Sequence, residues 1–353
     1  MAEAPGGRQW QCCRYHPFCH RRSLAYAVLD ALPAVRRMLE QDPYLIQNGY
    51  RWDNRLYFMG YSEGGYASLA AAREWEARPE QYRKASGFDL AGTACMGAPL
   101  DLSGVTRQAF LHPATPTPHV FYLPLFVLGY REVYGRLVDP QEILAPALLE
   151  NREDGGLLQW ADGSREGLLV DAAIGRRLGV PPGRLVLRSL FNPAWASGVL
   201  EAEDFLASPL GQAMRENDLV DGWAPTRPIL FAHSPDDQDI SIQNAHRALE
   251  GLSTAVRQAG RDPAGLLELR LLAQPGEGVD HVAGLFFGIT AALRWIEEQR
   301  ARPGPGTATE ALLLSNSQTG LEAAVAPAPS LKRWTHAVAT VSIHPAPGVR
   351  SFQ

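Results

Sequence analysis

The stretch from Arg55 to Ala72, RLYFMGYSEGGYASLAAA, runs from an apolar segment through a glycine-bracketed serine into an alanine-rich segment. Leu56 to Met59 is a short apolar run of the kind buried on both faces of a parallel sheet. The residues that follow, YASLAAAREWEARPEQYR, are good helix formers up to Pro79. Strand, tight turn and helix therefore follow in direct succession, with Ser62 at the turn. In Gly60-Tyr61-Ser62-Glu63-Gly64 the flanking glycines let strand and helix approach closely, and Gly65 extends the small-residue surface. Such a turn exposes a serine above the carboxyl end of a sheet, where the backbone N–H of Glu63 can face an oxyanion. The alternative is a glycine-rich turn that happens to carry a surface serine.

A serine hydroxyl is a poor nucleophile at neutral pH unless an imidazole takes its proton and a third group orients that imidazole. Two later segments offer such partners. HSPDDQDIS, after an apolar run at Ile229–Ala232, presents Asp236, Asp237 and Asp239; DHVAG, after the strand-like LLELRLLAQ, presents His281. Acid then histidine, each just beyond its own strand, is the order that a serine at this position requires. Only one of the three carboxylates can orient the imidazole, and spacing alone leaves the choice open. Asp280 adjoins His281 in sequence and points elsewhere. His112, His119, His233 and His246 lack the base's position and read as surface or locally hydrogen-bonded histidines.

Outward from these motifs the chain organises itself by composition. Its 353 residues are 46% hydrophobic and 20% charged, enough for one large domain or two modest ones. A net charge of -5 gives no broad basic field, which argues against nucleic acid or an acidic membrane as a partner. No apolar run approaches the roughly 20 residues of a membrane span or forms a secretory leader, so the expected location of the chain as written is cytoplasmic. SLAYAVLDALPAVRRML, from Ser23, has helical spacing with Pro33 inside it, and a second strand–turn unit begins at Asp89 and ends at Gly97-Ala98-Pro99. Residues 101–226 read as a mostly helical cap whose apolar segment Val120–Tyr130 forms a buried helix. Helices are expected from Gln243 to Arg257 and over VAGLFFGITAALRWIEEQR. A Pro-, Ala-, Ser- and Thr-rich tail over 301–353 lacks the composition of a packed core, although THAVATVSI can form one strand.

Cys12, Cys13, Cys19 and Cys95 are not spaced as a disulfide framework. CCRYHPFCH pairs zinc-binding residue types, but adjacent Cys12 and Cys13 cannot easily both face one ion together with Cys19 and His20. Cys95 belongs to a buried strand as a small core residue.

GYSEGGYA, ENDLVDGWAPTRPILFAHSPDDQDISIQNA and DHVAGLFFGITAALRWI together resemble the α/β-hydrolase superfamily, and within it the secretory-lipase-like esterases. The likeness covers roughly Ser23 to Arg300. That family carries its acid in a pattern like H-G-x-x-D-x-x-V-P-x-x-N-A; laid on His233–Ala245 it selects Asp237, with Ile240-Ser241 in place of Val-Pro. The resemblance implies Ser62 as nucleophile, His281 as base, Asp237 as acid and the Glu63 N–H as an oxyanion donor, with no metal or organic cofactor. It implies an α/β-hydrolase fold: a parallel sheet flanked by helices, with core segments 23–100 and 227–300, a cap at 101–226, an irregular leader at 1–22 and the tail at 301–353. The implied substrate is a small hydrophobic carboxylic ester. A serine peptidase, and a catalytically impaired fragment or binding remnant, are the alternatives.

One expectation sets this chain apart. The fold normally places four strands before its nucleophile strand, and the loop after the third supplies a second oxyanion N–H. Before Leu56 there is room for one helix and a leader, so the sheet is expected to be truncated at its N-terminal side. The strand before Ser62 would then be an open edge through which another polypeptide could associate. For full-length relatives the resemblance leaves secretion open.

Overall fold

The computed structural model describes residues 15–112, 115–150, 167–302 and 338–345. Four parallel strands and one antiparallel strand form a single sheet in the order β4-β3-β2-β1-β5. They are β1 (Tyr50–Tyr61), β2 (Asp89–Met96), β3 (Ile229–His233), β4 (Leu267–Leu271) and β5 (Val338–Pro345). The apolar run at Leu56 lies in β1 as expected, and its side chains divide by the two-residue period of a strand. Leu56 and Phe58 face a cluster containing Leu29, Leu32 and Trp75; Tyr57 and Met59 face the opposite layer, against Trp295. Burial on both faces is why this segment reads as a continuous apolar run rather than an alternating one.

Helices α1 (Arg21–Gln41) and α2 (Glu63–Ala77) supply the first layer. Between β2 and β3 the chain leaves the sheet and builds a largely helical region that includes α3 (Tyr122–Tyr134) and α4 (Gly167–Leu178). In α3, Leu123, Phe126, Val127 and Tyr130 are buried, and Pro124 sits in the first turn, where a missing N–H breaks no helical bond. Helices α5 (Gln243–Gln258) and α6 (His281–Ala301) follow β3 and β4, α6 bringing Trp295 and Ala292 against the second face of the sheet. Among the described residues no helix is long and apolar enough to cross a membrane.

The expectation that β1 would be an open edge is not met. β5 lies antiparallel along it, with Val341 opposite Leu56 and Ala339 opposite Phe58. The β-branched Val338, Thr340, Val341 and Ile343 lie in a strand that occupies the ladder positions of β1 left free by β2. The edges of the sheet are therefore β5 and β4. The rest of the expected tail, and Cys12 and Cys13, lie outside the described residues. Cys95 is buried in β2, and Cys19 is buried beside the site described next.

Candidate active site

β1 ends at Tyr61, and Ser62 turns the chain into α2 with φ 58° and ψ −126°, a left-handed conformation uncommon for a residue with a side chain. Two close approaches hold this turn. A Cβ on Gly60 would stand 2.1 Å from the carbonyl oxygen of Gly64, and one on Gly65 would stand 2.7 Å from that of Met96. The glycines thus admit the helix against the strands, as the sequence pattern requires, and the Ser62 N–H is held by the Met96 carbonyl at 2.8 Å. A serine preceding a helix ordinarily caps it with its hydroxyl. Here no side chain caps α2. The Ser62 Oγ instead lies 2.9 Å from His281 Nε2.

His281 is the first residue of α6 and is only 6% exposed. Its Nδ1 lies 2.6 Å from Asp237 Oδ2, so one imidazole bridges the Asp237 carboxylate and the Ser62 hydroxyl. The helix start is fixed from two sides. Asp280 caps it by accepting from the Ala283 N–H at 2.8 Å, and the Tyr61 hydroxyl donates to the His281 carbonyl at 2.7 Å. Tyr61 is therefore more than a spacer in the turn: its ring packs 5.1 Å from the His281 ring.

The three carboxylates of the acid loop separate completely. Half-buried Asp236 accepts from the N–H groups of Gly276 and Gly278, tying its loop to the one that leads into His281. Asp237 accepts from the N–H groups of Asp239 and Ile240 through Oδ1 and meets His281 through Oδ2. Asp239 takes a different histidine altogether: its Oδ2 lies 2.6 Å from His119 Nδ1 and its Oδ1 accepts the His119 N–H at 3.2 Å. Burial by itself would raise the Asp237 carboxyl, but its bonds to the imidazoles outweigh it and hold the group down at about 2. One of those imidazoles is His233, buried at the end of β3, which donates to the Ile240 carbonyl at 2.8 Å and stands 3.5 Å from Asp237.

Glu63 is the first residue of α2, so its N–H is one of the first-turn donors that have no partner within the helix. Its side chain does separate work. The buried carboxylate accepts from His16 Nε2 at 2.6 Å and from the Cys19 N–H at 3.3 Å, pinning the segment before α1 over the turn. Burial would lower His16, but the hydrogen bond and charge of Glu63 prevail and raise it above its ordinary value. This use of Glu63 and His16 was not visible in the sequence, because the two residues are far apart in the chain and neither lies in a recurring pattern.

Ser62 opens into a cavity of about 740 Å³, counting its open mouth. The wall is largely apolar, with Phe18, Leu102, Phe110, Leu123 and Phe126 among its residues, and His119, Asp239 and Ser241 interrupt it. A lining of this kind suits a small organic molecule.

No family model and no curated protein sequence matches the chain. Solved structures do. The rice cell wall degrading esterase LipA of Xanthomonas oryzae superposes with a TM-score of 0.60 at 21% identity, over 81% of this chain and 68% of that one. The chain has an α/β-hydrolase fold. A Legionella pneumophila protein described as a hydrolase gives this chain a TM-score of 0.61 at 18% identity, over 82% of it and 67% of the other. For Candida antarctica lipase A the TM-score is 0.51 at 17% identity, over 82% of this chain and 57% of that one. The fold expected from the sequence is thus the one observed.

Proposed function

We propose that the chain is a serine hydrolase of carboxylic esters. The observation that carries the reading is the single imidazole of His281 held between Asp237 at 2.6 Å and Ser62 at 2.9 Å. In this reading the Ser62 Oγ attacks the ester carbonyl carbon while His281 Nε2 takes the hydroxyl proton. The carbonyl oxygen becomes an oxyanion that the Glu63 N–H faces. Collapse breaks the bond to the alcohol oxygen, which leaves with the proton from His281, and an acyl-enzyme remains on Ser62. Water then attacks the acyl carbon, gives its proton to His281, and the acid is released as Ser62 recovers that proton. Asp237 holds Nδ1–H throughout and stabilises the imidazolium. No step calls for a metal or an organic cofactor.

The apolar wall favours a substrate with a hydrophobic acyl or alcohol part, as does the fold shared with an esterase and a lipase. A fluorophosphonate probe tests the reading directly. Wild-type protein is expected to be labelled and Ser62→Ala is not, with hydrolysis of a p-nitrophenyl ester falling by about 10⁶-fold in the variant. Folded wild-type protein that neither takes the label nor hydrolyses the ester overturns the assignment and leaves the alternative of a binding remnant. Labelling accompanied by cleavage of an anilide in preference to the matching ester redirects it to a peptidase.

A further inference from the structure

The cavity that opens at Ser62 holds a second histidine–carboxylate pair that the reaction above does not use. His119 arrives from the segment leading into α3, Asp239 from the acid loop, and both line the cavity wall. Asp239 is committed: its side chain is only 3% exposed and its two oxygens accept the backbone N–H and the Nδ1 of His119. The imidazole is held sideways as well, edge-on to Phe121 and Tyr122 with ring centroids 6.3 Å away in both cases. With Nδ1 bound to Asp239, Nε2 is the ring nitrogen left over, and it has no partner among the described residues. The neighbouring polar residue Asn244 is spent on its own loops, accepting from the Leu100 and Asp101 N–H groups and donating to the Ser241 carbonyl.

A polar nitrogen fixed in orientation, set in an apolar wall and unused by the protein is a specificity element: whatever fills the cavity either satisfies it or leaves it desolvated. The hydrogen bond to Asp239 raises His119 above its ordinary value against the opposing effect of burial, which extends to higher pH the range in which the ring is doubly protonated and Nε2 is a donor. The charges around the ring decide what acceptor it suits. Asp239, Asp171 and Asp280 all act on His119, and Asp171, pushed up to about 6 by burial, keeps a buried oxygen without a partner. Beside so many carboxylates a substrate carboxylate is repelled, whereas a neutral oxygen is not.

We propose that His119 is a specificity-determining residue that donates from Nε2 to a neutral oxygen, an ether, hydroxyl or carbonyl, carried on the otherwise apolar chain of the substrate. The inference deepens the ester-hydrolase reading and rests on the cavity at Ser62 being the substrate site, but its test needs no chemistry. Nonan-1-ol and three isosteres in which one methylene is an ether oxygen, 2-hexyloxyethanol, 3-pentyloxypropan-1-ol and 4-butoxybutan-1-ol, are titrated calorimetrically into wild-type, His119→Leu and His119→Gln proteins. At least one ether is expected to lose about tenfold in affinity relative to nonan-1-ol on going from wild type to His119→Leu, the worth of one charge-assisted hydrogen bond. His119→Gln, which keeps a donor, is expected to retain part of that difference. In wild-type protein carrying ¹⁵N-labelled histidine, the His119 Nε2 resonance is expected to shift with the preferred ether and not with nonan-1-ol, so a leucine variant that fails to fold does not remove the test. An ether-to-nonanol ratio unchanged in both variants, or an Nε2 resonance that ignores all three ethers, overturns the proposal. Fluorophosphonate labelling run alongside separates the two readings: ether discrimination without labelling removes the hydrolase and keeps His119, while labelling without discrimination does the reverse.

Discussion

Asp237 and Asp239 leave the same loop, two residues apart, and each holds the Nδ1 of a histidine at 2.6 Å. By local chemistry the two pairs are twins. What separates them is the element that delivers each imidazole. His281 opens a core helix whose start is fixed by the Asp280 cap and the Tyr61 hydroxyl, and its second nitrogen meets Ser62. His119 comes from the region inserted between β2 and β3, is steadied by two aromatic rings, and turns its second nitrogen to no protein group. A histidine–carboxylate pair therefore says little about chemistry until the third partner is known. In the proposed reading one pair moves a proton and the other recognises an oxygen.

This contrast can be broken experimentally, most severely at Asp237. Asp237→Asn is expected to lower kcat for a p-nitrophenyl ester by about 10⁴-fold, because an amide cannot hold the imidazole in the right tautomer or stabilise its charged form. If Asp237→Asn and Asp239→Asn lose activity equally, the division of labour between the two carboxylates is wrong.

A second expectation concerns acid. The Asp237 carboxyl is held down at about 2 in the folded chain, below the usual value of an unfolded aspartate, so its contribution to stability is fully present above about pH 4. It is lost as pH falls from about 4 towards 2, on the order of 2 kcal/mol in all. Urea unfolding of wild type and Asp237→Asn across that range checks the sign: the wild-type advantage should shrink on acidification. A gap that widens instead contradicts an ionised, hydrogen-bonded Asp237.

The smallest effect is expected at Asp239. Asp239→Asn weakens the bond to His119 without touching Ser62, His281 or Asp237, so the loss in kcat/KM for a plain alkyl ester should stay below about tenfold, one hydrogen bond's worth. Thermal unfolding should move down by a few degrees, since the two residues join the inserted region to the acid loop.

Much of this was legible in the chain because it is written locally. The apolar run at Leu56, the glycines around Ser62 and the alanine-rich helix after it are contiguous, and the steric demands of a strand–turn–helix act over a few residues. β2 was legible as a small-residue strand, β3 as a short apolar run and β4 as a leucine-rich one, and the order of acid and histidine followed from strand ends. The choice of Asp237 over its neighbours came from the resemblance to a known family, and the geometry brings that residue to His281.

The rest depended on distance. His119, grouped in the sequence with surface or locally hydrogen-bonded histidines, is drawn inward to Asp239, while His112 and His233 do bond locally, to Thr115 and to Ile240. Nothing near residue 119 signals a partner in a loop more than a hundred positions away. The glutamate after Ser62 looked like a bystander to its own N–H, yet its side chain holds His16 and Cys19. β1 was expected to be an edge from its place in the sequence, and the strand that covers it comes from far along the chain. Sequence alone determined the turn at Ser62 and the strands around it, since periodicity, glycine sterics and strand ends are short-range physics. Which carboxylate meets which imidazole, what the leftover nitrogen of His119 faces and which strand closes the sheet were decided only by the tertiary structure, because hydrogen bonds and ladder pairings join groups without regard to their separation along the chain.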